Sequence, residues 1–319
     1  MPTLLLRRSQ VTGLLDMGEV IAAVEQAFRD WAAGRARMPA KAYLLLDKGD
    51  FRAMPAAVPG AAGMKWVNVH PQNPGIGLPT VMGTIIYSDP DTGYPLAIMD
   101  ATEITAYRTG ATSAVASRYL ARKDSRTLGL IGAGRQAYTQ LLAHAVLFNL
   151  ELVKVFDPSR EAVSRLAARF PGLTVREATA EDAAASDIVC TVTPTRQPVV
   201  MRSWVKPGVH INAVGADAPG KEELEPAVLS AAAVFVDDIK QASGGGEINV
   251  PVSRGLFKIE DIRATLGEVI TGQKTGRASA GDITVFDSTG VAIEDIAVAR
   301  LVYQKAAGAA GLLRLDLVD

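Results

Sequence analysis

Cysteine is almost absent: Cys190 is the only one in 319 residues. No intrachain disulfide is therefore possible, and a reducing compartment, the cytoplasm, is the expected setting. Cys190 lies in the apolar run Asp187-Ile-Val-Cys-Thr-Val, which reads as a packed strand and not as a nucleophile's surroundings. Histidine is nearly as scarce. His70, His144 and His210 are scattered without metal-site spacing, so no metal is expected, and Asp237-Asp238 reads as a strand-end turn. An excess of either charge is missing too. With 33 basic and 34 acidic residues the net charge is -1, which excludes a nucleic-acid or membrane partner as the expectation. No apolar run approaches a bilayer span, and the patch before Arg7-Arg8 is too short for a signal sequence and carries its charges on the wrong side. No Ser/His/Asp set, internal repeat or low-complexity tract occurs.

What is present is the composition of a protein with a sizeable core, 48% apolar and 21% charged, at a length that suits two domains. The first hundred residues read as one amphipathic helix, 16–33, and a mostly antiparallel sheet. Strands are expected at 43–46, 51–54, 64–69, 81–87 and 96–99, broken by turns rich in Pro, Gly and Asp. A helix at 101–121, rich in Ala, Thr and Ser, implies close packing on a neighbour. Strands at 127–131, 152–156, 173–176, 188–192, 210–214 and 233–236 then alternate with helices, the rhythm of a parallel sheet covered on both faces. A strand at 283–286 and a helix at 292–306 follow, the helix returning to the first domain. The expected division is 1–118 with 300–319 as a substrate and dimerisation domain of α+β type, and 119–299 as an α/β, doubly wound domain of Rossmann type.

That second domain carries the clearest motif. In Leu128-Gly-Leu-Ile-Gly132-Ala-Gly134-Arg135-Gln136-Ala137, Gly132 permits the tight turn and Gly134 lets the backbone approach a pyrophosphate. Ala137 keeps the helix close to the sheet, and the helix start faces the anion. Asp157 ends the next strand, near the spacing of about 20 residues for a ribose-binding carboxylate. It favours NAD over NADP because it repels a 2′-phosphate, although Arg160, three residues on, could accept one.

Further segments carry a resemblance. Met64-Lys65-Trp-Val-Asn-Val-His-Pro, Leu78-Pro-Thr80, Arg108-Thr-Gly-Ala, the glycine motif, Val214-Gly-Ala-Asp217-Ala-Pro-Gly-Lys221 and Phe286-Asp-Ser288-Thr-Gly together resemble the ornithine cyclodeaminase/mu-crystallin family, nearly end to end. Gly49-Asp-Phe-Arg52-Ala-Met-Pro and Gly245-Gly-Glu-Ile-Asn249 are most like its archaeal-type alanine dehydrogenases. The resemblance implies a homodimer built on the first domain's sheet, with the substrate between that sheet and the nicotinamide.

It also implies roles for single residues. Lys41, Arg52, Lys65 and Arg108 are the expected ligands of a substrate carboxylate, Arg108 also lying beside the nicotinamide. Taken without the resemblance, each is an ordinary surface cation. Cyclodeaminases place a Glu where Arg52 stands, so the guanidinium argues against ornithine and for a small neutral or anionic substrate. Asp217 follows a strand at the sheet's carboxyl edge and matches the acid/base of cyclodeaminases; on sequence alone it reads equally well as a turn cap. Lys65 is its rival as proton carrier, because burial lowers a lysine's pKa. Thr80, Thr193, Val214, Lys221 and Ser288 match positions lining the cofactor. The expected reaction is reversible, NAD-dependent conversion of L-alanine to pyruvate and ammonium. Reduction of a cyclic imine such as Δ1-pyrroline-2-carboxylate, amino-acid cyclodeamination, and a dinucleotide-binding role of mu-crystallin type are the alternatives.

Overall fold

The structure is a computed structural model that describes Pro2–Val318. The chain divides into two compact units, 1–108 with 291–319, and 109–290. The first division falls inside a helix, ten residues ahead of the expected boundary at 118, and the second falls nine ahead of 299. Helix propensity runs unbroken through the first point, so the sequence carries no mark of it, whereas the second lies at the Gly290 turn just ahead of the helix expected at 292.

The first unit is a seven-stranded sheet with helices. Its elements are β1 (Thr3–Leu6), α1 (Arg8–Leu14), α2 (Met17–Ala32), β2 (Ala42–Leu46), β3 (Gly49–Val58), β4 (Ala61–Val69), β5 (Val81–Ser88), β6 (Pro95–Asp100) and the start of α3 (Thr102–Leu120). After the second unit the chain returns as α11 (Ala292–Ala306) and β15 (Leu313–Leu315). The sheet order is β15-β1-β6-β5-β4-β3-β2, antiparallel throughout except for β1 beside β6. The expected helix α2 forms, with Asp16 capping the Glu19 N–H at 3.0 Å and Val20, Ile21, Val24 and Phe28 buried. A second helix, α1, and strand β1 correct the expectation of one helix. Leu4-Leu5-Leu6 has no alternation to mark a strand, and only pairing with β6 and β15 makes it one.

The second unit is an eight-stranded parallel sheet. It runs through the rest of α3, then β7 (Thr127–Ile131), α4 (Arg135–Leu147), β8 (Leu152–Phe156), α5 (Arg160–Ala168), β9 (Val175–Glu177) and α6 (Ala180–Ala184). Then come β10 (Ile188–Thr191), β11 (His210–Ala213), α7 (Pro226–Ser230), β12 (Ala233–Val236), α8 (Ile239–Gly245), α9 (Asn249–Ser253), β13 (Ile262–Thr265), α10 (Leu266–Ile270) and β14 (Thr284–Asp287). The order β13-β12-β14-β11-β10-β7-β8-β9 puts the topological switch between β7 and β10. Both faces are apolar, Leu128, Leu130, Val153 and Cys190 on one and Val189, Ile211, Val234 and Val285 on the other, which is why these strands read as continuous apolar runs. Cys190 is fully buried and its thiol is pushed up to about 12, which removes it as a nucleophile at neutral pH. The packing expected of α3 is present: a Cβ on Gly110 would meet Thr139 O of α4 at 2.3 Å.

Two of the three histidines hold this unit together. His144 meets Gln140 O through Nδ1 at 2.8 Å and Ser117 Oγ through Nε2 at 2.9 Å. Asn212 Nδ2 donates to Ser117 Oγ at 2.9 Å, and Asn212 Oδ1 lies 3.2 Å from His210 Nε2. His210 Nδ1 is 2.9 Å from Thr284 Oγ1, to which Arg277 donates at 3.0 Å. With both rings neutral, His144 donates to the Gln140 carbonyl and accepts from Ser117, Asn212 donates to Ser117, and His210 lies between Asn212 Oδ1 and Thr284 Oγ1, whose own hydroxyl donates to Leu120 O at 3.0 Å. Burial accordingly lowers His144 to about 4 and His210 to about 3. The sign follows. The unfolded chain takes up a proton on each ring below about 6.5, whereas the folded chain does not, so their stabilisation is complete above that pH and is lost as pH falls toward 4. Each is expected to withdraw on the order of 3 kcal/mol by pH 4. Histidine NMR titration checks this; a ring titrating near 6.5 in the folded protein refutes it.

Candidate active site

Strand alternation places Lys65 on the face of β4 that packs against α11. In register it lies opposite Met54 on β3 and Ile85 on β5, both buried apolar side chains. An ammonium at 0% exposure in such surroundings needs a counterion. It has one: Nζ lies 2.7 Å from Asp295 Oδ2 in the first turn of α11, and donates to Thr105 Oγ1 at 3.3 Å. Arg108, one helical turn beyond Thr105 on α3, bonds Glu294 Oε2 at 2.6 Å and places Nε 3.1 Å from Asp295 Oδ1. Both acids are fully buried, and the positive end of the helix dipole favours them there. Burial is the largest influence on Lys65 and, with Arg108 beside it, lowers the ammonium to about 7 against the opposing pull of Asp295.

Arg52 is opposite Val67, two residues along β4 from Lys65, and so shares its face of the sheet. Asp50 engages its fork at 2.7 and 3.2 Å, and its guanidinium sits 5.4 Å from the centre of the Tyr43 ring. Lys41 is half-buried in the segment before β2, and Thr80 half-buried just before β5, where its carbonyl accepts from His70 N–H at 2.8 Å.

In the second unit the remaining residues gather along the carboxyl edge of the parallel sheet. Gly132 leaves β7 at φ +103°, and a Cβ there would lie 3.1 Å from Val192 O, so the turn requires glycine on both counts. Gly134 caps α4 without any side-chain hydrogen bond, and a Cβ built on it meets nothing within 4 Å. Asp157 Oδ2 accepts from Ala133 N–H at 2.8 Å and Oδ1 from Ser159 N–H at 2.8 Å, which ties the acid after β8 to the glycine turn. Thr193, Val214, Asp217 and Ser288 follow β10, β11 and β14. Thr193 is held through Oγ1 and N–H, each 2.7 Å from Glu223 Oε1, and Asp217 Oδ1 lies 2.5 Å from Lys221 Nζ. Ser288 Oγ is buried without a hydrogen-bond partner. Arg135 is exposed over Tyr138, 5.7 Å from its centre, and Gln136 begins α4 beside it. Open space over Gly134, an uncapped helix start, a fixed acid after β8 and an unsatisfied hydroxyl after β14 fit a dinucleotide lying across the switch point.

Residues 1–310 match the pattern of the ornithine cyclodeaminase/mu-crystallin family. The chain belongs to that family. It is 51% identical over 308 residues to an alanine dehydrogenase of Archaeoglobus fulgidus, covering 96% of each chain. Its fold superposes on an archaeal alanine dehydrogenase dimer with bound NAD at a TM-score of 0.98, with 49% identity and all of both chains covered. It also matches Δ1-pyrroline-2-carboxylate reductase of Thermococcus litoralis, solved with NADH and L-proline, at a TM-score of 0.94, with 37% identity over 99% of this chain and 100% of that one.

The resemblance pointed to Lys65 and Arg108, but not to the acids that pair with them. Glu294 and Asp295 escaped the sequence reading, because two acids in a helix's first turn look like ordinary dipole partners; the signal that could have found them is a buried Lys and Arg needing equal negative charge. Glu223, which accepts from Thr191, Thr193 and Gly215, was missed because it lies in the irregular segment between β11 and α7, where no local pattern marks it. Among the described residues no cluster of three or more His, Cys, Asp or Glu is arranged to hold a metal ion, and no helix is long and apolar enough to cross a membrane. Asp237 instead accepts from Thr289 and Gly290, and Asp238 caps α8.

Arg160 is exposed and 3.1 Å from Glu177, so Asp157 is the better-ordered charge of the two. Asp157→Ser is expected to raise the NADP-to-NAD ratio of kcat/KM by roughly tenfold, about 1.4 kcal/mol. Steady-state kinetics with both cofactors checks this, and a parent enzyme that already prefers NADP refutes it.

Proposed function

We propose that this family member is an alanine dehydrogenase: L-alanine, NAD+ and water give pyruvate, ammonium, NADH and a proton, reversibly. The likeness at 51% identity over the whole chain to a dehydrogenase of that substrate carries the reading, and the side chains give it a mechanism. When bound, the nicotinamide accepts the hydride that leaves Cα, which is the cofactor's share of the chemistry. Arg52, Lys65 and Arg108, with Lys41, hold the carboxylate; a cation at Arg52 disfavours a substrate with a second ammonium. Lys65 and Asp217 are the groups able to move protons as water adds to the iminium and ammonia leaves. Gly132, Gly134, Arg135, Gln136 and Asp157 take the dinucleotide's pyrophosphate and ribose; Thr80, Arg108, Thr193, Val214, Lys221 and Ser288 line the rest.

A homodimer is part of this reading. The sheet face of the first unit turned away from α11 carries Leu44, Phe51, Trp66 and Ile86, of which Leu44, Trp66 and Ile86 are 52%, 39% and 40% exposed. Phe51 and Trp66 stack there at 5.2 Å. An apolar sheet face of this kind calls for a partner, and a second copy, as in the archaeal relative, supplies one. A single buried cysteine suits the cytoplasm.

The test is NADH consumption by the purified protein with pyruvate plus ammonium, then with Δ1-pyrroline-2-carboxylate, and ammonium release from ornithine with NAD+, since a cyclodeamination returns its hydride and leaves no net NADH. Turnover of pyruvate is expected. Turnover of the cyclic imine alone would replace the substrate, and no turnover at all would favour a dinucleotide-binding protein.

A further inference from the structure

Lys65 has two partners among the described residues, Asp295 and Thr105, for its three N–H positions. The charged groups nearest to it come from two elements, Asp295 and Glu294 from α11 and Arg108 from α3; its register partners on β3 and β5 are the apolar Met54 and Ile85, and Arg52 of β3, further along the same face, is engaged by Asp50. Glu294 is engaged by Arg108 at 2.6 Å, so Asp295 is the acid in direct contact with the amine. Its two oxygens divide between the cations, Oδ2 to Lys65 at 2.7 Å and Oδ1 to Arg108 at 3.1 Å. Four fully or nearly fully buried charges thus balance, with Asp295 as the link.

We propose that Asp295 is the positioning residue for Lys65: it fixes Nζ in place and, against Arg108, balances the amine so that it both accepts and returns a proton during turnover. This rests on the dehydrogenase reading and deepens it by choosing how Lys65 works. In deamination, water adds to Cα through oxygen and its proton goes to the Lys65 amine. The ammonium so formed returns that proton to the substrate nitrogen, the C–N bond breaks with its electron pair on nitrogen, and the hydroxyl proton is taken up by the departing ammonia as C=O closes. Lys65 ends as it began. Without Asp295, burial and Arg108 both oppose the ammonium, and the returning step loses its acid. Without Arg108, two acids would hold the amine protonated and the accepting step would lose its base.

The experiment is the pH dependence of kcat/KM for L-alanine in the parent, Asp295→Asn and Asp295→Glu, with Glu294→Gln as comparator. In the parent the acidic limb is expected to break near neutrality. Asp295→Asn should move that break down by roughly one pH unit or more, beyond any uniform fall in rate, and Glu294→Gln should move it less. Should Asp295→Asn fail to fold, Asp295→Glu carries the test, since displacing the carboxylate by a methylene also displaces the break. A break left at the parent's position, with only the rate lowered, means Asp295 is a structural counterion and overturns the proposal. A parent inactive on alanine sinks the dehydrogenase reading instead, so the two failures are distinguishable.

Discussion

Lys65→Met is expected to lower kcat/KM for L-alanine by roughly 10²–10⁴-fold, the range for loss of a positioned acid–base group, while leaving Tm within a few degrees of the parent. The two halves of this expectation have one cause. Lys65 is fully buried and its ammonium is lowered from 10.5 to about 7. The fold therefore disfavours the protonated amine by on the order of 5 kcal/mol relative to the unfolded chain at neutral pH. That cost is borne in full at and below pH 7 and disappears as pH rises toward 10.5, so the parent should gain stability across that interval from this residue. A methionine of similar length removes the cost, though it leaves Asp295 to Arg108 alone; the two effects offset. Retention of a lysine that the fold disfavours is what a functional role predicts. Thermal melts and steady-state kinetics on the same preparation decide it. A collapse in Tm would make Lys65 a structural residue and the lost activity collateral.

Asp217→Asn should reduce turnover by a comparable factor of roughly 10²–10⁴, with NADH affinity close to that of the parent. Asp217 stands just beyond β11, half-buried at the sheet's carboxyl edge, with Oδ1 2.5 Å from Lys221 Nζ. An asparagine keeps the shape and can still accept from Lys221, but it cannot carry a proton. Fluorescence titration with NADH separates binding from chemistry. Normal turnover would return Asp217 to the turn-capping role its Ala-Pro-Gly neighbours also fit.

The helices and strands were legible wherever burial is periodic. Helix α2 and the alternating strands β3 and β4 bury one face, and their spacing shows it. The strands around the glycine motif bury both, and read as apolar runs. Strand β1 and the short elements α7 to α10 were not legible, because four to seven residues contain too few periods to mark a face. Leu4 is a strand residue because Ala97 lies beside it, and that neighbour is remote in sequence.

The site divides in the same way. The glycine turn and its trailing acid could be named from the chain alone, since each rests on a local motif: a positive φ at Gly132, an uncapped helix start at Gly134, an acid closing the next strand. The cations could be named only through the family resemblance. Their charges could not be read from either. Whether Lys65 is an ordinary solvated lysine or an amine lowered to about 7 depends on Asp295 and Arg108, contributed by two helices far from β4 in the sequence. Backbone conformation is set by near neighbours and is written locally. The strength of a buried charge is set by what folding brings within a few ångströms of it, and only the tertiary structure decides that.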